Sequence, residues 1–355
     1  MKKLLCVLLS LMMILGIAGA AAETNETETI TVEMEWEGRL WECEYSLLED
    51  GTICIVWFSS PGWWDTAIDH FVCPAEVDGY TVSAIDLYAF AVSRELKTFT
   101  IPDSVVSVKG NPVCSGCVGS VVVSPQHPAL SVVDGVLFDK DQKRLIAYPG
   151  SREESGYTIP DGVTSIGDWA FYQCYELTAV QIPEGVVSVG DYAFSECTSL
   201  ESIILPQSLV ELGEGVFVDN SQMQSVVLPE GLTMIPADAF EGCCSLSAID
   251  IPDNVTTIGE GAFYGCRQLD HVVVPEKVET IGECAFWECD NLSSVTILSR
   301  RASFTDKSFG CVNYDSNIRT WFFTCTEKLT LRVWRGSVAE ADAMSFYIPF
   351  EYMEE

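Results

Sequence analysis

The sequence predicts a repeat solenoid, and three recurrences carry that prediction. Phenylalanine returns every 23 residues, at Phe171, Phe194, Phe217, Phe240, Phe263, Phe286 and Phe309. An aliphatic residue runs in phase with it at Ile182, Leu205, Leu228, Ile251, Val274 and Ile297. All but the last precede a proline: Pro183, Pro206, Pro229, Pro252 and Pro275. Cysteine stands three residues after the phenylalanine at Cys174, Cys197, Cys243, Cys266 and Cys289. A fixed period of roughly 20–50 residues marks stacked units, each too small to bury its own apolar face.

Residues 1–22 read as a secretory signal peptide: Met1-Lys2-Lys3, an apolar run from Leu4 to Ile17, and an alanine-rich exit. The run is short of the roughly 20 apolar residues a spanning helix needs. The mature protein is therefore expected to be extracellular, either secreted or loosely associated with a cell surface. Residues 23–72 read as an acidic tether followed by a β-rich N-terminal cap, with strands on either side of Asp50-Gly51. Pairing across that turn would set Leu47 opposite Cys54 and put Cys43 too far along the ladder to bond it.

Residues 73–297 carry the array. In the unit from Leu177, the residues Leu177, Val180 and Ile182 space as a short strand with one apolar face. Pro183 ends the strand, because proline cannot donate to a ladder, and Pro183-Glu184-Gly185 supplies a turn. Val186 and Val189 point inward again, and 190–194 is expected to form one tight helical turn. The 35 residues by which the interval from Val113 to Phe171 exceeds one period mark an insertion near 124–156, read as a hairpin. Asn220 replaces the repeat cysteine and Pro236 the repeat glycine. Residues 298–355 close the stack.

The unit Leu-x-x-Val-x-Ile-Pro-Glu-Gly-Val-x-x-Val-Gly-x-x-Ala-Phe-x-x-Cys resembles that of the BspA-like leucine-rich-repeat family of bacterial surface and secreted proteins, over Val82 to Phe309. The resemblance implies a leucine-rich-repeat-like right-handed coil with one parallel β-sheet and β-rich end caps. It also implies adhesion to proteins or surfaces outside the cell.

The chain holds 52 acidic against 19 basic residues, a net charge of −33. Such a charge repels phosphate backbones and anionic lipids, arguing against nucleic acid and membrane partners and for a soluble monomer. The repeat cysteines read as buried packing residues and not disulfides, since one slot recurs along the stack. Cys244, Cys284, Cys311 and Cys325 fall off that slot and read as exposed thiols.

No arrangement suggests catalysis, a cofactor or a metal. Cys114-Ser115-Gly116-Cys117 has redox spacing but falls where the repeat places Phe-x-x-Cys. His70, His127 and His271 are scattered. Two acidic columns recur, Asp161, Glu184, Glu230, Asp253 and Glu276 in the turn, and Asp168, Asp191, Glu214, Glu260 and Glu283 after the inward residue. Calcium would need six to eight converging oxygens, so the columns read as a solvated face.

The strand face is the candidate binding surface. Its outward column is Gln181, Ile204, Val227, Asp250, Val273 and Thr296, flanked by Ala179, Ser202, Ser225, Ala248, His271 and Ser294. Three β-branched apolar residues are expected to be exposed there, beside small neighbours that leave the surface accessible. The expected function is non-enzymatic binding of an extracellular protein or cell-surface ligand through Ile204, Val227, Asp250, Val273, His271 and Gln181. The alternative is glycan binding by Trp63 and Trp64, adjacent aromatics in a loop that could stack on sugar rings.

Overall fold

A three-residue strand has no partner within its own coil, so its backbone groups must bond to the coils above and below. The computed structural model describes residues 28–59, 68–91, 96–113, 118–305, 307–315, 320–325 and 329–354. Within them the chain winds as a solenoid. Gly156–Thr158 pairs in parallel with Ala179–Gln181, Ser202–Ile204 with Ser225–Val227, and His271–Val274 with Ser294–Ile297. At one end of the chain His70–Val72, Leu96–Thr100 and Val118–Val122 form a further parallel set. At the other, Thr330–Val333 and Phe350–Tyr352 extend the column.

The strand column is more segmented than the single sheet expected, and a second column accompanies it. Residues 248–250 form no strand, so the ladder halts between Ser225–Val227 and His271–Val274. The second column consists of two-residue strands: Ser165–Ile166, Ser188–Val189 and Glu211–Leu212, then Met234–Ile235, Thr257–Ile258 and Thr280–Ile281. Each of these ends on the buried aliphatic residue that follows the turn, Ile166 and Val189 among them. The amides of Gly190 and Gly213 then donate to Ile166 and Val189 one coil back, at 2.9 and 2.8 Å.

The tight helical turn expected at 190–194 is instead a run of β-turns. Tyr192 and Glu196 adopt left-handed backbone at φ 53° and 55°, which a helix cannot accommodate. The amides of Tyr192, Phe194 and Glu196 accordingly donate to Glu214, Val216 and Val218 of the next coil, at 2.8, 3.0 and 2.7 Å. A single helical turn would have left its first amides without partners inside the coil, whereas these turns bond them to the next coil.

The seven phenylalanines form one column. Successive ring centroids are 4.7 to 5.7 Å apart, with planes within 19° of parallel. That offset stacking suits the aromatic quadrupole and keeps water from the axis.

At the N-terminal end Thr29–Trp36, Arg39–Leu47 and Ile53–Ser59 form an antiparallel sheet whose last strand pairs in parallel with Tyr80–Ile85. Cys54 faces Ser46 and not Leu47, because the chain reverses over Leu48 to Thr52 with Gly51 left-handed at φ 80°. Cys43 lies opposite Phe58 and both cysteines are free. Trp41 is buried against Phe58 and Phe71.

The insertion supplies Leu130–Val133, Val136–Asp139 and Arg144–Ala147, and the last of these joins the second column beside Ser165–Ile166. His127 is fully buried and orders the entry to the insertion. Its Nδ1 accepts the Leu130 amide at 3.0 Å while Nε2 lies 3.1 Å from the Pro102 carbonyl. At the C-terminal end the helix Val338–Ser345 begins at Ser337, whose Oγ accepts the Glu340 amide, and buries Ala339 and Ala343.

Candidate binding surface

Side chains alternate along a strand, so the inward Val180, Ile203, Val226, Val272 and Val295 leave their neighbours pointing to solvent. Ile204 is 69 % exposed, Val227 49 % and Val273 45 %. In the parallel register Ile204 stands directly beside Val227 and Ser202 beside Ser225. The apolar pair is thus one row with a flat, small-residue flank. Val273 stands beside Thr296, and His271 beside Ser294, in the segment beyond the break.

The other expected members hold different positions. Gln181 is exposed, and its Oε1 accepts the Thr158 hydroxyl at 3.0 Å from the adjacent strand. Asp250 is exposed but lies in the unpaired segment 248–250, between the two apolar patches. His271 is exposed beside Asp270, with Nδ1 3.9 Å from its carboxylate. Trp63 and Trp64 lie outside the described residues, as does Cys114-Ser115-Gly116-Cys117.

A second exposed apolar pair stands outside the 23-residue register. Val72 and Val122 are also exposed, and they flank Thr100 in the N-terminal parallel set. The sequence carried a signal for them: Val72-Cys73-Pro74 and Thr100-Ile101-Pro102 repeat the pattern of Ile204-Leu205-Pro206. The insertion breaks the period between these sets and hides their kinship. At the other end the row runs through Thr296 to Arg332 and Glu351, which are joined by an ion pair at 2.9 Å.

The acidic columns are partly structural. Asp168 accepts the Asp191 amide at 3.1 Å, and Asp191 accepts the Glu214 amide at 2.8 Å. Glu184 accepts the amides of Gln207 and Ser208 at 3.2 and 3.3 Å. Each carboxylate thereby caps a backbone N–H one coil on. Among the described residues no group of three His, Cys, Asp or Glu side chains is placed to hold a metal ion. The three histidines lie in separate surroundings, His70 bonding Thr98 Oγ1 at 2.8 Å. Among the described residues no helix is long and apolar enough to cross a membrane.

Six copies of the BspA type leucine rich repeat region match this chain, over residues 153–253 and 233–330, together half its length. The chain belongs to that family. Among solved structures the BspA-type protein is similar to a leucine-rich repeat protein from Eubacterium ventriosum ATCC 27560, at 17 % identity and a TM-score of 0.56. That likeness covers 74 % of this chain and 90 % of the other. It is also similar to the pneumococcal vaccine antigen PcpA, at 20 % identity and a TM-score of 0.54, over 79 % of this chain and 61 % of that one. The chain thus spans less than two thirds of the PcpA structure, and at these identities both likenesses concern the fold. No match is found among curated proteins.

Proposed function

We propose that this BspA-type protein is a non-enzymatic adhesion module, exported from the cell, that binds an extracellular protein through its strand face. The observation that carries the reading is the exposed apolar row, with Ile204 at 69 % and Val227 at 49 % exposure in direct register. Solvent alone favours polar residues on an open sheet face, and a contiguous exposed apolar row marks a contact surface. The serine flank leaves room for a partner's backbone or side chains to approach. Asp250, lying between the two patches, asks the partner for a donor or cation at that point. Family membership supports the adhesive role, because a stacked array presents an extended surface with little else to offer chemically.

The test is the double substitution Ile204→Ser and Val227→Ser in the full chain, assayed against a panel of matrix and cell-surface proteins. Stability should change by no more than about 0.5 kcal/mol, as exposed substitutions do. Binding should fall sharply, since a few central apolar residues carry most of an interface's energy. A variant that folds and binds every partner at full strength removes the strand face from consideration.

A further inference from the structure

The array ends in a cleft of about 650 Å3 between its last turns and the C-terminal segment. Its walls carry Lys277, Arg300 and Arg301 together with Trp334, and Glu276 and Glu279 stand among them. Cations are scarce in this chain, and residues 153–266 contain 18 acidic side chains and no lysine or arginine. Their concentration in one cleft sets it apart from the acidic coils before it.

The repeat itself departs at this point. The turn slot that reads Pro183-Glu184-Gly185-Val186 and later Pro275-Glu276-Lys277-Val278 next reads Leu298-Ser299-Arg300-Arg301. Arg301 occupies the slot of Val186, Leu209, Leu232, Val255 and Val278, all buried, yet it is exposed. Ala302 and Phe304 are buried after it and close the core. The array has therefore replaced a buried aliphatic residue with a cation that packing does not require.

The backbone that carries the arginines is held in place, and so are the side chains of Arg300 and Lys277. Ser299 is buried, and its Oγ accepts the amides of Arg301 and Ala302, both at 3.1 Å. The Arg300 carbonyl accepts the Val338 amide at 3.2 Å. Its guanidinium lies 4.9 Å from the Trp334 ring, a cation–π contact, and the indole N–H is fixed to the Leu298 carbonyl at 2.9 Å. Lys277 donates to Asn254 Oδ1. Among the described residues neither Arg300 nor Arg301 forms an ion pair. The Arg300 guanidinium, held on Trp334, and the exposed Arg301 guanidinium have no carboxylate partner among the described residues, and each is suited to receive a planar anion in bidentate fashion.

We propose that this cleft binds an acidic saccharide through the carboxylate of a uronic-acid-type sugar. The arginines take the carboxylate. Glu276, Glu279 and the Thr256 hydroxyl offer acceptors to sugar hydroxyls, and Trp334 gives the cleft an apolar wall. The two glutamates weigh against an acidic peptide, whose run of carboxylates they would repel and which brings no hydroxyls for them to accept. The volume lies within the roughly 300–1,000 Å3 of small-ligand pockets, enough for a few sugar rings. The site is separate from the strand face and stands or falls without it.

The experiment is calorimetric titration of the full chain with a uronic-acid disaccharide, its uncharged methyl ester and a short oligoglutamate. The acid disaccharide should bind and weaken as salt rises, while the ester and the peptide bind at least about tenfold more weakly, the loss of one charge-assisted contact. Arg301→Ser should cost the acid disaccharide about tenfold or more with an unchanged thermal midpoint, because the side chain is exposed. Should that variant unfold, Arg301→Gln, which removes the charge and keeps a long polar side chain, provides the same reading. Equal binding of acid and ester, tighter binding of oligoglutamate, or no binding by any of the three overturns the proposal.

Discussion

At the residue scale the cysteine slot serves as a hydrogen-bonding position as well as a packing one. The thiols of Cys197, Cys243, Cys266 and Cys289 each lie 3.0 to 3.2 Å from the carbonyl of the phenylalanine 26 residues earlier. Asn220 fills the slot in one coil and donates through Nδ2 to the Phe194 carbonyl at 2.8 Å, so the replacement keeps the bond. It also buries an Oδ1 without a partner. Asn220→Cys should therefore raise stability by about 1 kcal/mol, read as a higher midpoint in denaturant. Burial pushes the thiols of Cys174 and Cys266 well above their ordinary pKa. Among the described cysteines, thiol labelling followed by mass spectrometry should modify the half-buried Cys244 and Cys284 first and leave the repeat slot intact until denaturation. Rapid native labelling of Cys197 or Cys266 would show that the slot is open.

Glu241 makes the second residue-scale prediction. Burial, and then the carboxylates of Asp238 and Asp219, push its pKa up from 4.5 to about 7. Burial raises Asp219 and Asp238 as well. The folded state then holds a proton that the unfolded chain has released. The penalty is absent below about pH 4.5, grows as pH rises, and is complete above about pH 7. Thermal stability should fall between pH 5 and pH 8, and Glu241→Gln should flatten the fall, gaining about 1–2 kcal/mol at pH 8. An unchanged profile in the variant would mean that Glu241 is solvated.

At the scale of the coil, backbone proximity and ring stacking join neighbours. A Cβ on Gly213 would meet the Gly190 carbonyl carbon at 2.3 Å, and one on Gly282 would meet the Glu260 amide nitrogen at 2.4 Å. The atoms met are backbone, so the coils themselves would have to part. Gly213→Ala should cost about 1–3 kcal/mol, as overpacking does. Phe240→Ala, which opens the ring column at its centre, should cost about 3–5 kcal/mol. Denaturant unfolding checks both, and an alanine at either position that leaves the midpoint unmoved would deny the contact its role.

At the scale of the molecule, charge works against the stack. Coils separated by about 4.8 Å place like charges of the acidic columns side by side, and residues 153–266 hold no cation to answer them. Backbone amides answer some of them, as Asp168 and Glu184 show. Raising the salt from about 0.01 to about 0.15 M shortens the screening length severalfold, and the thermal midpoint should rise with it. A midpoint indifferent to salt would mean that the capped carboxylates no longer repel.

The sequence by itself determined the period, the inward residues and the outward row, because each is a pattern of residue type along one chain. Phe194 and Phe217 had to stack, and Ile204 had to point out once Ile203 pointed in. Tertiary structure decided what depends on groups in two coils at once. The second strand column, the left-handed turns at Tyr192 and Glu196, and the thiol bonds to the phenylalanine carbonyls all arise from backbone groups finding partners 22 to 26 residues away. Residue type states a preference for inside or outside, whereas the direction of a hydrogen bond is fixed only when the next coil is in place.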